Sequence, residues 1–290
     1  MKIAYAFRRG AFHPHQEIDL LTDSADRQKY LAKVKEIGFD GIELGVSGGS
    51  DAEIDTLRCQ LEDAGTPCVA IRGGGGNQER LEAAVRFTAK IGAGVLNSTV
   101  TTPPTSPNAK GTFRGENVSQ GASRAASAED YERTAKVISD VAPVAADLGV
   151  EISIEIHQNS IADNSWSALR LLDLIDHPNV GVNPDLGNIY WTYDIPEESC
   201  EDAILALAPR SNYWHCKNLY RVNIPELEFS AFLQAPLCDG EIDYRFAISA
   251  MLAAGYDGYL AIEGIRLGDQ FYNDGKSVAY VKSVVAELSG

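Results

Sequence analysis

The stretch EISIEIH, residues 151–157, alternates polar and apolar residues with the two-residue period of a β-strand. Ile152, Ile154 and Ile156 fall on one face. Glu151, Ser153, Glu155 and His157 fall on the other. Two carboxylates and an imidazole pointing one way need either water or a site to receive them, and the flanks decide which. An amphipathic helical pattern over 128–148 runs into the strand, and a second, over 165–176, follows it.

That alternation of short apolar run and longer amphipathic segment holds along the whole chain. Strands are expected near 2–6, 39–44, 68–71, 94–99, 150–156, 180–183, 211–216 and 258–262. Helices are expected near 25–37 (capped by Ser24 and stopped at Gly38), 51–64, 77–91, 128–148, 165–176, 199–208, 243–254 and 275–288. Eight strands alternating with eight helices imply parallel βαβ units, and eight is the number that closes a barrel. The expected fold class is α/β, a single (β/α)8 TIM barrel over residues 1–290. The apolar strand faces then pack outward on helices, and the polar faces look into the barrel. Two loop insertions interrupt the pattern, near 101–127 and near 219–240. The first is rich in Pro, Gly, Ser and Thr, falls after the fourth strand, and suits a lid or a partner contact.

The chain of 290 residues is 44% hydrophobic, enough for one large core, and carries a formal net charge of −16. Such a surface repels nucleic acid and anionic membranes. A small neutral or cationic molecule, or a metal cation, fits better. The five cysteines have no CxxC pair, which points away from a disulfide framework or zinc ribbon and toward a reducing cytoplasm. No run reaches the roughly 18 apolar residues of a membrane span.

In a barrel of this kind chemistry sits where strands end and the following loops begin. The polar residues at those ends are Glu43, Glu155, His157, Asp185, His215, Lys217, Glu263 and Arg266. Glu155, Asp185, His215 and Glu263 end four consecutive strands and can converge on one point. Three carboxylates and an imidazole without a partner would repel one another in a sheltered site. A divalent cation resolves that. Mixed oxygen and nitrogen ligands suit Mn²⁺ first, with Co²⁺, Mg²⁺ or Zn²⁺ as alternatives.

The order of several motifs extends this reading. GFDGIEL (38–44), EIH (155–157), NPDLGN (183–188), HCKN (215–218), GEIDY (240–244) and GYDGYLAIE (255–263) together cover most of the chain. In this it resembles the xylose isomerase-like barrel superfamily, in particular the sugar phosphate isomerase/epimerase branch. The resemblance implies a single divalent metal held by Glu155, Asp185, His215 and Glu263. It also separates the chain from the superfamily's DNA-repair endonucleases, which carry a His three residues after the strand-six Asp. Here that residue is Asn188, and no His follows His215.

The implied reaction is isomerisation or epimerisation of a keto sugar or polyol, by proton abstraction next to a carbonyl through a metal-stabilised enediolate. By the same resemblance Glu155 and Glu263 are ligands and acid/base groups on opposite faces of the substrate. His157 is the third candidate catalytic group. Lys217, Arg266, Asn188, Glu43 and Trp191 are candidate substrate contacts. One alternative is a lyase, a dehydratase or β-eliminase of a keto-polyol or 3-keto-glycoside, in which the same intermediate expels a β group. Another is a non-catalytic sugar-binding subunit. The partner expected is a small carbohydrate, with homo-oligomeric or heteromeric assembly left open.

Overall fold

A computed structural model describes residues 1–7, 24–46, 48–100, 109–113, 116–119, 122–158, 160–191, 198–224, 226, 229–265 and 268–289. Its central sheet has eight strands: β1 (Lys2–Ala6), β2 (Gly41–Gly45), β3 (Cys68–Arg72), β4 (Val95–Ser98), β5 (Glu151–Glu155), β6 (Val180–Asn183), β7 (Trp214–Cys216) and β8 (Tyr259–Ile262). All neighbours pair in parallel, in the order β6-β5-β4-β3-β2-β1-β8-β7. Helices Ser24–Ile37, Asp51–Asp63, Gln78–Lys90, Ala128–Asp147, Ser165–Ile175, Cys200–Leu207, Tyr244–Ala253 and Gln270–Ser289 follow the strands in turn. This is the (β/α)8 barrel, nearly closed.

Local chemistry starts these helices where the pattern places them. Ser50 and Ser127 each accept from the backbone N–H three residues on, while Glu53 and Asp130 reach back to the Ser50 and Ser127 amides. These reciprocal bonds satisfy donors that a helix start leaves without partners. Asn77 and Asn164 cap the helices after β3 and β5 with their side-chain oxygens. The first helix begins at Ser24 itself, one residue earlier than expected.

Alternation within the strands sorts the side chains. Ile3, Tyr5, Ile42, Leu44, Ile71, Leu96, Ile152, Ile154, Val182, Leu260 and Ile262 join the helices in the main core. A smaller cluster of Ala4, Val69, Ala70, Tyr213 and Ala261 fills the lower barrel interior. Three alanines there leave room for the Tyr213 ring. Above this apolar floor the inward positions turn polar, as Glu43, Asn97, Glu155, Asn183 and His215, all buried.

The barrel has one weak seam. Between β6 and β7 the backbone makes a single isolated bridge, Val182 to Ser211, and the Asn212 N–H donates to Val182 O at 3.2 Å. One rung further on, a side chain substitutes for the ladder: the His215 N–H donates to Asn183 Oδ1 at 2.6 Å.

Both insertions carry structure among the described residues. Ala109–Phe113 pairs antiparallel with Glu116–Ser119, and a short helix spans Ala122–Ala125; residues 101–108, 114–115 and 120–121 lie outside the described residues. Asn218–Ile224 pairs with Phe229–Ala235 as a second hairpin. Leu219 and Phe232 on one of its faces pack on Trp191.

Candidate active site

The site lies at the C-terminal ends of the strands. Glu155 is the last residue of β5, His215 the middle residue of β7, and Glu263 the residue after β8. Asp185 follows β6 and caps the five-residue helix Leu186–Tyr190. Glu155, Asp185 and His215 each bring one ligand atom to within 4.8 Å of the others, so this buried trio could hold a metal ion. His215 Nδ1 lies 3.5 Å from Glu155 Oε1 and 3.6 Å from Glu263 Oε1.

The imidazole reports which of its nitrogens faces the site. Nε2 is 2.6 Å from Glu43 Oε2. Nδ1 is fully buried and has no hydrogen-bond partner. A metal-binding His is held by a carboxylate on one nitrogen and presents the other to the ion. Here Glu43 takes the first place, and Nδ1 is left to the second.

Charge makes the same point. Glu43, Glu155, Asp185 and Glu263 face two permanent cations, Arg72 and Lys217. With His215 neutral, two negative charges remain, the charge a divalent cation cancels. Without a cation the groups compensate through protons. Burial pushes the Asp185 carboxyl up to about 6, even against Lys217. Burial also opposes a charged His215, but Glu43, Glu263 and Glu155 together hold its imidazolium well above the ordinary range. Burial alone would raise Glu155 as well; His215 outweighs it and pulls that carboxyl down to about 2.

The remaining predicted residues divide into those placed at the site and those placed behind it. Lys217, 6% exposed, donates to Asp185 Oδ2 at 2.8 Å and Glu263 Oε2 at 2.9 Å. The His157 ring bonds through Nδ1 to Gln158 O at 2.7 Å, beyond Glu155 on the same strand direction. Glu43, expected at the substrate, is instead fully buried, its carboxylate committed to His215 and, through Oε1, to Arg72 Nε at 3.0 Å. Asn188, also expected at the substrate, is 3% exposed: its amide donates to Ile156 O at 2.8 Å and Asp185 Oδ2 at 2.9 Å, and sits 3.4 Å from Glu155 Oε1. Its amide is thus placed on the carboxylates of the site and on the β5 backbone. Trp191 is buried, its ring 5.6 Å from Phe232 and 5.9 Å from Lys217 Nζ. Arg266 lies outside the described residues.

Three residues join the site without having been singled out. Arg72, at the end of β3, donates to Glu263 Oε1 at 2.8 Å. Asn97 on β4 donates to Glu155 Oε2 at 3.1 Å and accepts from Asn183 Nδ2 at 3.1 Å. Thr99, 3.3 Å from Glu155 Oε2, completes that set. The glycine run after Arg72 serves the turn: Gly74 has φ +84°, and a Cβ on Gly75 would stand 2.3 Å from Thr99 O.

Residues 31–279 match the family model described as xylose isomerase-like TIM barrel. The chain belongs to that family. It is 28% identical over 202 residues to a D-psicose 3-epimerase of Agrobacterium fabrum, covering 66% of this chain and 68% of that protein. It is 23% identical over 254 residues to a ketose 3-epimerase of Arthrobacter globiformis, covering 80% and 75%. A xylose isomerase-like TIM barrel protein from Mycobacterium smegmatis, solved in complex with magnesium, superposes with a TM-score of 0.76 at 21% identity over 100% of this chain and 98% of that one.

Proposed function

We propose that this protein is a divalent-metal-dependent isomerase or epimerase of a keto sugar or polyol. The observation that carries the reading is the His215 ring, held at Nε2 by Glu43 and turning a partnerless, buried Nδ1 toward Glu155 and Glu263. Glu155, Asp185, His215 and Glu263 are the residues that would hold the ion, Mn²⁺ first, with Co²⁺, Mg²⁺ or Zn²⁺ as alternatives. Bound there, the ion would supply the positive charge that acidifies a C–H next to a carbonyl.

The chain's own groups then divide the work. Glu155 and Glu263 remove and return the proton on the two faces of the substrate. Asn97, Thr99 and Asn188 fix the Glu155 carboxylate by hydrogen bonds. Arg72 and Lys217 fix Glu263 from either side. His157, tethered at Nδ1, is left with Nε2 for a substrate hydroxyl. Arg266 is the remaining proposed substrate contact.

One observation favours a second reading. Lys217 holds a buried ammonium between Asp185 and Glu263, an acid placed to protonate a leaving hydroxyl in a dehydratase. Incubation with ketohexoses, inososes and 3-keto-glycosides in D₂O separates the two. Deuterium entering the carbon next to the carbonyl with the skeleton intact supports the isomerase or epimerase; release of water or an aglycone supports the lyase. Metal analysis tests both together. Asp185→Ala and His215→Ala are each expected to lose the bound ion, and a variant retaining it at full stoichiometry removes that residue from the ligand set.

A further inference from the structure

Gly187 sits inside the short helix Leu186–Tyr190 and is buried. Its φ is not positive, so the backbone does not require glycine there. Glycine inside a helix is unfavourable relative to alanine, so a different reason should keep it. Space supplies one. A Cβ on Gly187 would stand 2.3 Å from Lys217 Cγ, 3.0 Å from Lys217 Cε and 3.0 Å from Lys217 O. The lysine stem lies flat across the helix where a side chain would be. From there Nζ reaches Asp185 and Glu263.

One turn of chain thus supplies three things to Lys217. Asp185 at its start gives the ion pair, Gly187 gives clearance, and Trp191 at its end offers a ring face 5.9 Å from the ammonium. Lys217 is further held from its own backbone, whose N–H and C=O both bond the Tyr244 hydroxyl, at 2.9 and 2.8 Å. With the lysine backbone fixed, a methyl group at 187 could be admitted only by swinging the stem, and the ammonium with it, away from the two carboxylates. We propose that Gly187 is a positioning residue for Lys217: its missing side chain is the channel through which the ammonium reaches the two carboxylates. The importance of Lys217 for turnover rests on the function proposed above; its placement by Gly187 does not.

The test uses Gly187→Ala, Lys217→Ala and the double variant, all in metal-free protein, so that failure of the proposed activity leaves it intact. Gly187→Ala is expected to lower Tm by about 3–8 °C. On the Lys217→Ala background the same change should cost about half as much or less, because Cγ, the closest contact, and Cε are gone and only Lys217 O remains nearby. Amine acylation mapped by mass spectrometry adds a readout that simple loss of packing would not move. Lys217 should react severalfold faster in Gly187→Ala than in the parent, with the exposed Lys33 and Lys136 unchanged as internal standards. If Gly187→Ala does not fold but the double variant does, the proposal stands. Should Lys217→Ala not fold, the acylation of Gly187→Ala decides. Equal Tm losses on both backgrounds, parental reactivity of Lys217 in Gly187→Ala, or, where Lys217→Ala itself folds, a double variant that folds no better than Gly187→Ala would overturn it.

Discussion

Glu43 is a carboxylate placed behind the candidate site, on the far side of the His215 ring. It is fully buried, pairs with His215 Nε2 at 2.6 Å, and is tied to Arg72 at 3.0 Å. Replacing it by glutamine keeps the shape and removes the charge that holds the ring's tautomer. Partners of this kind are worth about 10–100-fold in metal affinity. Glu43→Gln is therefore expected to weaken Mn²⁺ binding by that factor, measured by competition with a chromophoric chelator. An unchanged affinity would separate Glu43 from the ion. Asn188 makes the complementary case. Its amide is spent on Ile156 O and Asp185 Oδ2, so Asn188→Ala should disturb the carboxylates and metal affinity before it disturbs KM for a sugar.

At the scale of elements, the helix Ala128–Asp147 illustrates how its cap holds it. Ser127 and Asp130 exchange hydrogen bonds at its start, and Arg133 also pairs with Asp130. Ser127→Ala is expected to lower Tm by about 2–4 °C. The Asp130 carboxyl is held below its ordinary value of 3.8, first by the Ser127 backbone N–H. A lowered folded pKa means that its contribution is complete above the unfolded value and is lost as pH falls through the folded one. The Tm gap between the parent and Asp130→Asn should therefore be open at pH 7 and close below about pH 4; a gap of constant size would assign the effect to something other than the carboxylate. This helix and the seven others were legible because caps and apolar periods are local signals. The strand alternation was equally legible, and with it the ends that carry Glu155, Asp185, His215 and Glu263. Arg72, Asn97 and Thr99 were not. Asn97 is an inward member of a four-residue strand, too short for parity to mark it, and Thr99 comes just after that strand. Arg72 ends β3 directly before a run of glycines, where no motif marks it. What gives these three their partners is the circular order of strands: Arg72 meets Glu263, 191 residues away.

At the scale of the whole molecule, the one pair of neighbouring barrel strands without a backbone ladder among the described residues lies beside the candidate metal site. β6 and β7 share one isolated backbone bridge, whereas the other neighbouring strands share ladders. Asp185 follows the first of these strands and His215 belongs to the second, so two of the three clustered ligand residues lie on opposite sides of the seam. Without an ion, what crosses there among the described residues includes Asn183 to the His215 amide and Lys217 to Asp185. A cation bound by both sides would staple the barrel where its hydrogen bonding is thinnest. Binding to the folded state alone stabilises by about 2.7 kcal/mol at a hundredfold excess over Kd, which for a chain of this size raises Tm by roughly 5–10 °C. The gain should also be local. Amide exchange at Asn212 and His215 is expected to slow on adding Mn²⁺ and to recover with chelator, while Ile152 and Ile154, in the continuous β5 ladder, change less. A uniform slowing of all four amides would mean that the ion stabilises the barrel without bridging the seam, and no slowing at all would place it elsewhere.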